Sequence, residues 1–339
     1  MEGLTERVVA AGRAAGLVAV GVTSAEPFDD ARRHLEERRA AGLSSTMQFT
    51  YRNPARSTDP SRALPGARAL VAAAYPVCGV TPAKAGATPH TGAVGRVARY
   101  AWRDHYAELR AALGACAAVL EADGYAARVF ADDNAFVDRA VAVRAGLGWF
   151  GKNANVLFPG HGSWVVLGCV VTTAPLETGA EPVADGCGGC TRCIDGCPTN
   201  AIVAPGVVDA RRCLAWLVQQ EGTFPVEFRA ALGDRIYGCD DCQEVCPPSR
   251  RIRHDDAPRR TVDLAAIVEA DDADLLRDYG AWYIAQRDPR YLKRNALIAL
   301  GNSGDSGDES VRELLRRWAQ SADELLAEHA QWALERLDT

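Results

Sequence analysis

Eight cysteines fall between Cys187 and Cys246, and no other feature of this chain restricts its fold so strongly. Cys187, Cys190, Cys193 and Cys197 precede Pro198 as C-x2-C-x2-C-x3-C-P. That spacing wraps three thiolates around one side of a [4Fe-4S] cube and turns the fourth toward a second cluster. Cys239, Cys242 and Cys246, before Pro247, repeat the end of the run with one ligand missing, and Cys213 lies between the halves. The rule assigns Cys187, Cys190, Cys193 and Cys246 to the first cluster, and Cys197, Cys213, Cys239 and Cys242 to the second. Zinc is the alternative, but it draws four ligands from C-x2-C pairs and has no use for such a run. The other three cysteines, Cys78, Cys116 and Cys169, lie in apolar or helical stretches and read as small core hydrophobes.

Thiols at this density point to metal in a reducing compartment. Met1-Glu2-Gly3 opens no basic or apolar leader, so the expected location is the cytoplasm. Trp164 to Val171 is the most continuous apolar stretch and is far too short to span a bilayer; it reads as a buried strand. With 339 residues, 48% of them hydrophobic, the chain predicts two or three globular domains. Its net charge of −6 excludes a globally basic nucleic-acid binder and leaves local basic patches open.

The pattern of elements predicts an α+β protein. Residues 1–178 alternate helices (Thr5 to Ala15, Asp29 to Ala41, Arg103 to Ala122, Asp138 to Ala145) with strands (Leu17 to Val22, Ala69 to Tyr75, Val129 to Ala131, Trp164 to Val171), forming a mixed α/β domain. Thr178 to Gly189 is rich in glycine, proline and acid and marks a boundary. Residues 179–250 form a ferredoxin-like two-cluster domain. Residues 251–339 turn helical: Leu264 to Ala270, Asp274 to Tyr279, Leu292 to Leu300, Ser310 to Gln320 and Asp323 to Leu337, with Gly301 to Gly307 a loop. Residues 290–300 and 327–337 share a charged start and alanine-rich spacing, the look of a HEAT-type repeat or of ordinary packed helices.

Two adjacent clusters make a wire for low-potential electrons. The segments before them carry Ala131-Asp132-Asp133-Asn134, Asp138-Arg139-Ala140, Gly146-Leu147-Gly148-Trp149-Phe150-Gly151-Lys152-Asn153 and Gly162-Ser163-Trp164. Gly146, Gly148 and Gly151 match G-x-G-x-x-G but follow a helix and open none, so no dinucleotide site follows.

In their order, DRAVAVRAGLGWFGKN, GSWVVLG, the cysteine run, RIYGCDDCQEVCP and RNALIALGN resemble the epoxyqueuosine reductase family over roughly residues 50–339. The resemblance implies cobalamin in the N-terminal domain, two [4Fe-4S] clusters, and a C-terminal helical repeat that docks a tRNA anticodon stem-loop. It implies electrons from an external low-potential donor such as flavodoxin or ferredoxin, and a monomer that needs no membrane. Reduced cobalt acting on an epoxide expels oxygen as water, which demands a proton donor, and desolvation near the corrin would hold a carboxyl protonated. Alignment places that acid on Asp132, with Asp133 second. Asp-Asp-Asn before a helix is also good capping chemistry, and it departs from the family pattern, as Ala215 does after Cys213.

The resemblance further puts Arg56, Tyr100, Arg139, Lys152, Val156, Leu167, Gly238 and Asp240 around the cofactor, although Arg139 and Lys152 could equally be solvated surface. Two basic groups could meet RNA phosphates. Arg250, Arg251, Arg253, Arg259 and Arg260 stand against Asp255 and Asp256; Arg287, Arg290, Lys293 and Arg294 open the repeat-like helix. The rival readings are a related cobalamin reductase for a small molecule, such as a reductive dehalogenase-like enzyme, and a two-cluster electron carrier.

Overall fold

The computed structural model describes residues 3–77, 93–252, 261–303 and 307–339. Cys78, Arg253, Arg259, Arg260, Asp255 and Asp256 lie outside them. Among the described residues no helix is long and apolar enough to cross a membrane.

The strand Ala69–Pro76 is the centre of the N-terminal half. Successive side chains point to opposite faces: Ala69, Val71 and Ala73 enter one core, Leu70 and Ala72 the other. With both faces covered, the strand is apolar throughout. It pairs antiparallel with Ala19–Ser24 and with Val165–Thr172, and the latter also carries Ala127–Ala131. The helices Leu4–Ala14 and His105–Ala122 cover one face with Val8, Leu109, Leu113 and Leu120. The helix Asp138–Arg144 covers the other with Val141, beside Phe130 and Phe136. These elements stand within a few residues of their sequence expectations.

Val94–Val97 leaves this sheet to pair parallel with Arg235–Tyr237 and antiparallel with Thr261–Asp263. One small sheet thus takes a strand from each of the three expected domains, and Val97, Ile236 and Val262 share a core with the C-terminal helices. Its strands have 4, 3 and 3 residues, too few for an alternating pattern to register in sequence.

The C-terminal helices are Leu264–Glu269, Asp272–Asp278, Arg290–Ser303, Glu309–Ala319 and Glu324–Leu337. Gly301, expected in a loop, lies inside the third, where a Cβ would stand 2.6 Å from Ala333 Cα. Alanine at Gly301 would gain about 1 kcal/mol of helix propensity. The overpacking costs about 1–3 kcal/mol, and here the obstacle is the backbone of a facing helix, which cannot swing aside. Gly301→Ala is therefore expected to be net destabilising; an unchanged midpoint in urea would count against this packing.

Candidate active site

The cysteine run folds as a series of tight turns. Cys190 N–H donates to Cys187 O (2.9 Å), and the short helix Arg192–Asp195 leads to Cys197, whose sulfur accepts the Ala201 amide at 3.2 Å. Cys213 and Cys246 each stand at the N-cap of a short helix, Leu214–Leu217 and Pro247–Arg250. There, free N–H groups favour a thiolate. Burial raises both thiols overall; the amides of Ala215 and Trp216 draw Cys213 part of the way back, and Ser249 does the same for Cys246.

The fold brings the thiols together in two sets. Burial, then Cys246, Cys187 and Cys190, push Cys193 up. Burial pushes Cys242 well up, followed by Cys239, Cys213, Asp240 and Cys197. Cys246 thus sits with the first run although only four positions separate it from Cys242. The first set opens on a hollow lined also by Lys152, Asn153, Leu157 and Pro247; the second is half-buried.

The Gly-Ser-Trp run anchors this arrangement. A Cβ on Gly162 would lie 2.5 Å from Ser249 Cα. Ser163 N–H donates to Ser249 Oγ (3.1 Å), Ser163 Oγ donates to Gln243 Oε1 (2.8 Å), and Trp164 Nε1 donates to Ser249 O (3.1 Å). Asn153 Nδ2 donates to Cys242 O at 3.3 Å. The G-x-G-x-x-G match is also a packing device: a Cβ on Gly148 would stand 2.3 Å from Leu157 O.

Between the strand Ala127–Ala131 and the helix Asp138–Arg144, the acid loop separates its two aspartates. Asp133 Oδ1 accepts the Ala135 amide at 2.8 Å and closes a turn inside the loop, while the helix is capped by Val137 without a side-chain bond, so the capping expected of Asp-Asp-Asn does not occur. Asp132 is not tied into that turn and adopts φ +54°, a left-handed conformation that costs on the order of 1 kcal/mol for a non-glycine residue and that gathers at functional sites. Asp132 is an exposed residue whose carboxyl nonetheless lies close to surrounding protein. Burial raises its carboxyl; Arg110 draws it back, and Asp104 and Asp133 add to the rise. Burial and then Asp132 hold Asp138 well above the carboxylate range, and Asp138 Oδ1 is enclosed without a hydrogen-bond partner. The phenol of Tyr106 is raised by burial and by both acids. Arg139 faces Asp138 and Tyr106 on one side and Cys213 on the other. Asp138 and Tyr106 went unnoticed in the sequence, although an acid inside the apolar run FVDRAVAV was a usable signal.

Other expected residues disperse. Tyr100 is deep, accepts Gln219 Nε2 at 3.0 Å and faces Tyr106 and Tyr237. Gly238, at φ +72°, is pressed against it: a Cβ there would stand 2.9 Å from Tyr100 Cε1. Asp240 accepts the Arg99 amide (2.8 Å), and burial pushes it up to about 6. Arg139 donates to Ala154 O at 3.2 Å. Leu167 keeps some surface, whereas Val156 is core, packed with Ala74, Ala142 and Phe158. Arg56 is exposed on the helix Pro54–Ser57. Lys152 Nζ donates to Gly188 O (2.6 Å) beside the first cysteine set.

The basic group at the start of the third C-terminal helix is corrected. Packing covers this helix from Tyr291 to Gly301, so it has little solvated face. Arg294 is fully buried and donates to the carbonyls of Leu217, Gln220 and Gly222. Lys293 is buried against Asp272 (3.0 Å). Arg290 is exposed but paired with Asp288 (2.7 Å) and Asp323 (3.2 Å). Arg287 is exposed and donates to Gly280 O.

The 4Fe-4S double cluster binding domain family matches residues 186–249. The epoxyqueuosine reductase of Xanthomonas campestris pv. campestris is 36% identical over 97% of this chain and 94% of its own. That of Vibrio cholerae is 42% identical over 70% of this chain and 67% of its own. Among solved structures, an epoxyqueuosine reductase with an epoxyqueuosine-modified tRNA-Tyr stem loop superposes with TM-score 0.89 at 29% identity, covering 99% of this chain and 90% of that one. A Bacillus subtilis epoxyqueuosine reductase, described with its catalytic aspartate loop swung out of the active site, gives TM-score 0.87 at 28% identity over 98% and 90%. With identity of this order across nearly its whole length, the chain belongs to the epoxyqueuosine reductase family.

Proposed function

We propose that this protein reduces epoxyqueuosine to queuosine in the anticodon loop of tRNA, working as a cytoplasmic monomer. One observation carries the chemistry: Arg139 joins the second cysteine set to the paired acids, so the inner end of an electron wire meets a proton source. Cys187, Cys190, Cys193 and Cys246 hold the outer cluster, and Cys197, Cys213, Cys239 and Cys242 the inner one. Electrons from flavodoxin or ferredoxin enter at the shallow first set.

The surroundings of Asp132 suit cobalamin: they carry the Tyr100 and Tyr106 phenols and the Asp138 oxygen enclosed without a partner, and Leu167 supplies apolar surface. When bound, cobalamin supplies a strongly reducing cobalt centre. Asp132 holds the proton for the departing epoxide oxygen, and Arg139 moderates the charge between the acids and the inner cluster. The C-terminal helices, HEAT-like in this reading, present Arg287 and Arg290 to RNA phosphates; Lys293 and Arg294 serve the fold.

Nucleosides of tRNA from a strain lacking its own reductase decide the substrate: with this gene queuosine is expected, and persisting epoxyqueuosine overturns the reading. The crossed ligand sets have their own test. A double cluster holds about eight iron atoms, and serine at both Cys187 and Cys190 is expected to leave about half after anaerobic reconstitution. Adding Cys246→Ser should then remove little more, whereas adding Cys239→Ser should empty the protein; the reverse order would refute the crossing.

A further inference from the structure

Deoxygenation of an epoxide breaks two C–O bonds, forms C=C and releases the oxygen as water. It consumes two electrons, delivered singly by the low-potential carrier, and two protons. One carboxyl holds one proton, so Asp132 cannot complete the reaction unless it is reloaded. We propose that Asp138 is the internal proton store that reloads Asp132, acting through it and not on the substrate; this rests on the functional reading above.

The geometry is specific. Asp138 opens the helix Asp138–Arg144 directly after the acid loop, and its Oδ1 is enclosed with no partner. Leaving a buried oxygen without a partner is normally destabilising. A carboxyl kept in such a place is poised to pass its proton on, and the groups it faces agree. Asp132, Asp133 and Arg139 face it from its own segment, Tyr106 from the helix His105–Ala122 and Cys169 from the strand Val165–Thr172. The other strands packed on its helix carry no ionisable side chain except Tyr75. Of the two loop carboxylates that act on it, Asp132 acts more strongly than Asp133, which is tied into a turn, and Tyr106 feels both acids. Burial favours the protonated form of Asp138 at neutral pH.

Asp138→Asn keeps the shape and removes the proton. In the reconstituted enzyme kcat is expected to fall about 10- to 100-fold with KM for tRNA unchanged, Asp138→Glu to restore most of it, and a small carboxylic acid in the buffer to rescue the asparagine variant. Two readouts need no cofactor. Infrared spectra of the cofactor-free protein at pH 7 should show a protonated carboxyl band that Asp138→Asn abolishes. A raised folded-state pKa stabilises below the unfolded value and loses that contribution as pH rises through the folded one. Asp138→Asn should therefore raise the Tm at pH 8 by about 2–4 °C while leaving it little changed at pH 4. An unchanged kcat, a persisting infrared band, or destabilisation of both variants at pH 8 would overturn the proposal. A wild-type protein that makes no queuosine would overturn the substrate reading, leaving the infrared and stability results to decide Asp138.

Discussion

Asp132→Asn is expected to lower kcat by about 10²–10⁴-fold, the range for loss of a positioned general acid. Iron content and tRNA affinity should be unchanged. Asparagine is the informative substitution because it tolerates the left-handed conformation that Asp132 adopts at φ +54°, so the backbone of the loop survives while the proton is lost. Alanine would mix a conformational cost with the chemical one. The pH dependence has a definite sign. Asp132 works in its protonated form, and burial raises its pKa. The wild-type rate should hold at acid pH and fall as pH rises through that raised value, a limb the residual rate of the variant lacks. Single-turnover reduction of modified tRNA across pH checks both points; full turnover by Asp132→Asn would remove the acid from this position. Asp133→Asn should do far less to the rate, since its Oδ1 holds the Ala135 amide and an asparagine oxygen can accept the same bond.

The second large effect concerns stability, at a residue that sequence alone places on an RNA-binding face. Arg294→Ala is expected to destabilise the protein by about 3–5 kcal/mol. The side chain is 0% exposed and donates to Gln220 O (2.9 Å) and Leu217 O (3.1 Å), and its Nε donates to Asn295 Oδ1 (3.1 Å). Asn295 in turn donates to Val218 O (2.8 Å) and Ile236 O (3.1 Å). Truncation bares several buried carbonyls at once and loosens the segment that follows Cys213. Thermal unfolding should show a large drop for Arg294→Ala and a change within about 0.5 kcal/mol for exposed Arg287→Ala. Conversely, Arg287→Ala should weaken tRNA binding and reduce its salt dependence, as loss of one phosphate contact does. An Arg294→Ala protein of wild-type stability with weakened tRNA binding would restore the surface reading.

Arg294 and Asp132 together mark where sequence reasoning stops. A run of arginines and a lysine has the same charge whether it faces solvent or a neighbouring segment. Which of them occurs depends on the strand Arg235–Tyr237 and the turn at residues 217–222, distant in sequence and packed against the helix. In the acid loop, composition offered a helix cap, whereas the helix is capped by Val137 without a side-chain bond and Asp133 instead closes a turn on Ala135. Asp138 looked like the first residue of an ordinary helix until its surroundings were in place.

By contrast, regular elements and the cysteine spacing were legible from the start, because both are local. A strand such as Ala69–Pro76 has a continuous apolar pattern, and thiols two residues apart can wrap one object wherever the chain goes. The sequence by itself determined the α+β class, the double-cluster chemistry and the family. Tertiary structure alone decided which acid closes a turn and which stays free, which basic residues face water, and how three segments share one small sheet. The reason is physical: desolvation and pairing of a charge depend on atoms brought in from far along the chain, and no local pattern records them.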